Sequence, residues 1–223
     1  MCFSAQASFA AGTVLLIVGA ATIRRVRGRS ELPYAWIPAL FGIQQLIEGG
    51  LWLTFPDRAP LLNTVLTHAY SFFSHVLWPI YVPLAALALE PVPWRRRALT
   101  AIAVAGSAVG LYLLATLFTL PIVATVRGQH IAYDSPHLYA LPAMSLYLLG
   151  TCASLMFSSH ARVVAFGVAA FVSAVTAYVF YVEWFISVWC FFAGVLSVIV
   201  FLYFAGPRRS AHFEGAGPEL EAR

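Results

Sequence analysis

Long apolar runs, each close to or above the ~20 residues a helix needs to cross a bilayer, leave this chain few folds to choose from. Read along the chain they cover residues 4–23, 34–54, 62–89, 98–125, 137–158, 162–181 and 184–205. Backbone amides in lipid must be paired within the segment, so such runs are helices or the strands of a closed barrel. They are too long, and alternate too little, for barrel strands. The junctions carry turn chemistry: RGRSELP, FPDRAP, EPVPWRRR, RGQHIAYDSP, SSHAR and AGPRR. The weakest junction is YVEW, inside the otherwise unbroken stretch 163–205. One helix over that stretch would be about 64 Å long, twice the hydrocarbon thickness, so it reads as two spans. The expected fold is therefore all-α: a polytopic bundle of seven transmembrane helices over residues 1–206, with a polar, disordered tail at 207–223.

Charge orients the bundle. The formal net charge is +4, yet there is no lysine, and the arginines sit between apolar runs at 24, 25, 27, 29, 95–97, 162, 208 and 209. That is a topology signal and not a nucleic-acid-binding stripe, so no nucleic acid is expected as a partner. Seven spans put eleven of the thirteen arginines on one side, counting Arg223, with Arg58 and Arg127 on the other. The expectation is an N-terminus outside and a C-terminus in the cytoplasm. Trp36 and Trp94 then fall at the inner interface, Trp52 and Trp184 at the outer one. The first run is an anchor and not a cleaved leader, because its arginines follow the apolar stretch.

Ionisable groups inside a span are costly and mark functional sites. Three helices each offer a narrow polar stripe at helical spacing: Gln44, Gln45 and Glu48; His68, Ser71 and His75; Glu183, Ser187 and Cys190. The economical arrangement turns them toward one another in a polar cavity in the outer half of the bundle, with Glu183 at its mouth. Pro79 cannot donate a hydrogen bond to the carbonyl four residues back, that of His75, which leaves an acceptor beside an imidazole. Gly49 and Gly50 allow close helix approach beside Glu48.

The chain opens MCFSA. Removal of Met1 would make Cys2 the terminus, with an amine and a thiol on adjacent carbons, a pair able to chelate a metal or act as a nucleophile with its own base. Ser4 can cap the helix that follows. Glu48, His68, His75 and Cys2 are the expected ligands of a divalent metal, zinc foremost, with Glu48 and Cys2 as catalytic groups and Glu183, Gln44 and Ser71 around them. An open position on the metal would support hydrolysis of a small-molecule or lipid substrate. Two other readings compete: a binding or transport protein in which Glu48 and the histidines hold a small ligand or relay protons, and a structural membrane subunit. Cys152 and Cys190 read as inert fillers, and no disulfide is indicated. Asp134, His130 and His137 read as a solvated outer loop or a lid.

The opening MCFSA, the arginine-rich first loop ending in ELP, and QQLIEGGLW resemble a bacterial family of small multi-spanning membrane proteins of unassigned function. That resemblance implies a multi-pass protein of the bacterial inner membrane, with the lipid bilayer as its partner. In architecture alone the chain is similar to the seven-span zinc hydrolases that include alkaline ceramidases and progestin/adipoQ-type receptors. Those sites use three His, an Asp and a Ser, whereas only His68 and His75 are intramembrane here, with no Asp.

Overall fold

A computed structural model describes residues 4–55, 58–135 and 138–206. Cys2, His137, Arg208, Arg209, Arg223 and the expected tail at 207–223 lie outside the described residues. Seven helices span the described chain. They are α1 (Ala5–Ile23), α2 (Leu32–Ala35 continuing as Ile37–Trp52), α3 (Pro60–Leu89), α4 (Pro93–Thr119), α5 (Leu141–Met156), α6 (Ala161–Phe180) and α7 (Val182–Ala205). Of these, α1, α3, α4, α6 and α7 are long and apolar enough to cross a membrane, and α5 is a shorter apolar helix.

Local sequence starts these helices as expected. The Ser4 hydroxyl accepts from the Ala7 amide at 3.2 Å, capping α1. Prolines open α3, α4 and α5, where their missing N–H is no loss. One expected span is corrected. The run 98–125 does not stay helical: α4 ends at Thr119, ahead of Pro121, and the chain then forms an antiparallel hairpin. Its strands are β1 (Ala124–Arg127) and β2 (His130–Tyr133), joined by Gly128 and Gln129. Gly128 takes φ +65°, which a two-residue hairpin loop requires and glycine adopts without strain.

Two helices carry π turns, Phe72–Leu77 in α3 and Leu149–Ala153 in α5. In the first, the Trp78 amide reaches back five residues to the Phe73 carbonyl. Pro79 is next, with no N–H to give. The acceptor it leaves in this register is the Ser74 carbonyl, not that of His75, and the Tyr147 hydroxyl of α5 donates to it.

Small residues set the helix crossings. A Cβ on Gly19 of α1 would lie 2.6–2.8 Å from Ala39 of α2. A Cβ on Gly106 of α4 would lie 2.1 Å from the Pro79 carbonyl oxygen, and one on Gly150 of α5 would lie 2.9 Å from the same atom. Pro83 removes the amide that would otherwise hold that oxygen, so α4 and α5 close on it from two sides.

The bundle has two distinct ends. One gathers Arg24, Arg25, Arg27, Arg29, Arg95, Arg96, Arg97 and Arg162. Several of these arginines cap helix ends. Arg95 donates to the Phe157 and Ser158 carbonyls at 3.1 and 2.7 Å, Arg96 to those of Leu87 and Glu90 at 3.1 and 2.9 Å, and Arg162 to that of Leu202 at 2.6 Å. The Glu90 carboxylate is buried there and accepts from the Ser159 and Val92 amides at 2.6 and 3.1 Å. Trp36 and Trp94 are exposed at this end, as an interfacial belt requires.

The hairpin covers the other end. Tyr133 stacks on Tyr70 of α3, ring centres 4.6 Å apart and planes 6° from parallel. His130 packs against Tyr181 and Trp184, at 5.8 and 5.0 Å between ring centres. Burial there pushes its imidazole below the usual histidine range. A folded value below the unfolded one means that the neutral ring contributes stability above the unfolded pKa of about 6.5, and that this is lost as pH falls through the lower folded value. Thermal unfolding followed from about pH 7.5 to about pH 5 is therefore expected to show falling stability, with a shallower slope in His130→Phe. An identical slope in the variant would assign the effect elsewhere.

Candidate functional site

Two polar sites lie inside the bundle, one built on α2 and one on the π turn of α3. The first is built on α2. Gln44, Gln45 and Glu48 are all fully buried, on one face of a regular helix, as their spacing predicts. Ser187 of α7 donates its hydroxyl to Glu48 Oε1 at 2.6 Å, and the Gln45 amide lies 3.4 Å from Glu48 Oε2. Trp78 of α3 donates its indole N–H to Gln44 Oε1 at 2.8 Å, and its ring stacks on Phe41 at 3.8 Å. Two of the expected stripes thus converge: that of α2, and the Ser187–Cys190 part of that of α7. Among the described residues the buried Gln45 Oε1 has no hydrogen bond, and the Gln44 side chain also reaches the Cys190 thiol. Trp78, Cys190 and Cys152, with Phe41, Phe166 and Trp189, line a small apolar void of about 30 Å³.

The second site is built on His75, which is buried. Its Nε2 lies 2.8 Å from Ser135 Oγ, just after β2, and its Nδ1 lies 2.8 Å from Ser74 Oγ. Ser74 in turn donates to the Ser71 carbonyl at 3.4 Å. Ser135 is half-buried and opens onto a cavity of about 480 Å³ at the hairpin end, lined also by Arg127, Asp134, Tyr139 and Glu183. Arg127 and Asp134 approach to 3.8 Å across its rim. Burial pushes the Tyr139 phenol up to about 12, so it stays a donor at neutral pH; its hydroxyl lies 3.5 Å from the Val182 carbonyl.

The third expected stripe is broken. His68 is half-buried, with Nδ1 held at 2.8 Å by the Thr64 carbonyl of its own helix. The π turn that begins at Phe72 contains His75 and breaks the α-helical phase, so a spacing of seven no longer puts both imidazoles on one face. Glu48, His68 and His75 therefore each keep separate partners. Among the described residues no three His, Cys, Asp or Glu side chains come close enough to share an ion. Cys2 lies outside the described residues. Glu183 is exposed and lines the Ser135 cavity, whose walls include neither Glu48 nor Cys190. Sequence reading missed Ser74, Ser135 and Tyr147. Ser135 is 60 residues from the imidazole it meets, and no local spacing signals that pairing.

Several helices long and apolar enough to cross a membrane, packed around a buried carboxyl group and a buried imidazole, define a class of mainly helical protein with polar sites in its interior. More particularly, the chain belongs to a family of unknown function, DUF6629, whose model matches residues 1–215. No curated protein and no solved structure matches it.

Proposed function

We propose that this is a multi-pass protein of the bacterial inner membrane, N-terminus outside and C-terminus in the cytoplasm, in which Glu48 is a proton-binding group. The orientation rests on charge: eight described arginines lie at one end of the bundle, and Arg58 and Arg127 lie at the hairpin end.

One observation carries the proton reading: a carboxyl group shut from solvent inside a bundle of apolar helices, cradled by a hydroxyl and an amide. Glu48 meets the Gln45 amide of its own helix and the Ser187 hydroxyl of α7, with the Cys190 thiol of α7 also nearby. The separate partners of Glu48, His68 and His75 favour this reading over a shared metal centre.

The test uses the full chain in proteoliposomes with an internal pH indicator and an imposed pH gradient. Wild-type protein is expected to carry proton flux, and Glu48→Gln, which preserves shape and the acceptor for Ser187, to reduce it to the level of protein-free vesicles. Flux that is equal in wild type, variant and empty vesicles would sink the reading.

A further inference from the structure

The His75 site has the ordering of donors that activates a hydroxyl. In the tautomer we assign, the Ser74 hydroxyl donates to the Ser71 carbonyl at 3.4 Å and its oxygen accepts from His75 Nδ1–H. That leaves Nε2 unprotonated, and it accepts from the Ser135 hydroxyl. Nucleophile, base and orienting group thus stand in sequence, each 2.8 Å from the next. The oxygen at the head of this chain is also the one with access to space, since Ser135 lines the outer cavity while His75 lies behind it.

We propose that Ser135 is a nucleophile activated by His75, and that its substrate is a carboxylic ester bearing an aliphatic acyl chain. The acyl chain is argued from the surroundings of the cavity. Tyr139 lines both that cavity and a groove of about 450 Å³ between α5 and α6, whose other walls include Leu141, Met144, Leu148 and Phe171. Leu141 and Phe171 are exposed, so on a membrane-spanning helix pair the groove opens to lipid tails. A tail lying in it would bring the ester carbonyl up to the level of Ser135.

The chemistry balances without a cofactor. Ser135 Oγ bonds to the ester carbonyl carbon as its proton moves to His75 Nε2. The carbon–oxygen bond to the alcohol breaks, and the alcohol leaves with the proton from Nε2. Water then attacks the acyl–Ser135 ester, gives one proton to Nε2, and Ser135 Oγ recovers that proton as the fatty acid departs. This activity is independent of the proton site at Glu48, and either can fail alone.

The experiment is covalent labelling of the purified full chain in micelles with a long-chain alkyl fluorophosphonate, read by mass spectrometry of the peptide containing Ser135. Wild type is expected to be labelled at Ser135, Ser135→Ala to carry no label, and His75→Asn to react at least ~100-fold more slowly, the usual contribution of a positioned base. Methyl fluorophosphonate should react more slowly than the long-chain reagent. Each protein is first shown to unfold cooperatively. Wild type unlabelled at Ser135, or label retained in Ser135→Ala, overturns the proposal with no need of the histidine variant. Equal rates for the two reagents overturn the acyl-chain assignment.

Discussion

Gly106→Ala is expected to destabilise the protein by at least about 3 kcal/mol, the upper range for forcing a methyl group into a filled interior. The new Cβ would stand 2.1 Å from the Pro79 carbonyl oxygen, which is backbone and cannot swing aside as a side chain can. Gly150 presses on the same oxygen from α5, so α3 has no free direction in which to move. Gly50→Ala is the matched control, because its nearest contact is the flexible Leu66 Cδ1 at 3.3 Å. Thermal midpoints in detergent should fall sharply for the first and little for the second. Equal midpoints would mean that α3, α4 and α5 do not close on Pro79 as described.

The second large effect lies at the arginine end. Glu90 ties the chain after α3 to the start of α6 by accepting from Val92 and Ser159. Hydrogen bonds to a carboxylate contribute roughly 1.5–3 kcal/mol each, so Glu90→Ala should cost about 3 kcal/mol or more. Glu90→Gln keeps one acceptor oxygen and should lose about half as much. Thermal midpoints, with limited proteolysis of the 157–162 connection, read both. Wild-type behaviour in the alanine variant would exclude the staple.

Much of this architecture is legible in the sequence, because crossing a bilayer demands length and hydropathy above all. The seven segments, the Ser4 cap and the polar face of α2 follow from run length, turn residues and helical period. Even the YVEW junction reads correctly, as a short 3-10 turn over Val182–Trp184 that opens α7. The π turn at Phe72–Leu77 is a different matter. His68 and His75 are seven apart, which places them on one face only if every intervening turn is α-helical. A break in α-helical phase is invisible to a spacing argument, and here it means that a spacing of seven no longer puts both imidazoles on one face. The hairpin is missed for a different reason. LPIVAT is apolar enough to extend the preceding run to 125, and HIAY lies in the RGQHIAYDSP junction, too short a stretch to signal a strand by itself. Ser135 meets His75 through tertiary folding alone.

Under the orientation proposed above, the arginine caps would couple insertion to folding. The charges that would bias the helices toward one side of a bilayer are, in the folded bundle, donors to carbonyls near the ends of neighbouring helices. A helix threaded backwards would leave those carbonyls stranded on the face that carries only Arg58 and Arg127 among the described residues. Orientation would then be checked a second time, after insertion, by whether the bundle can be locked shut.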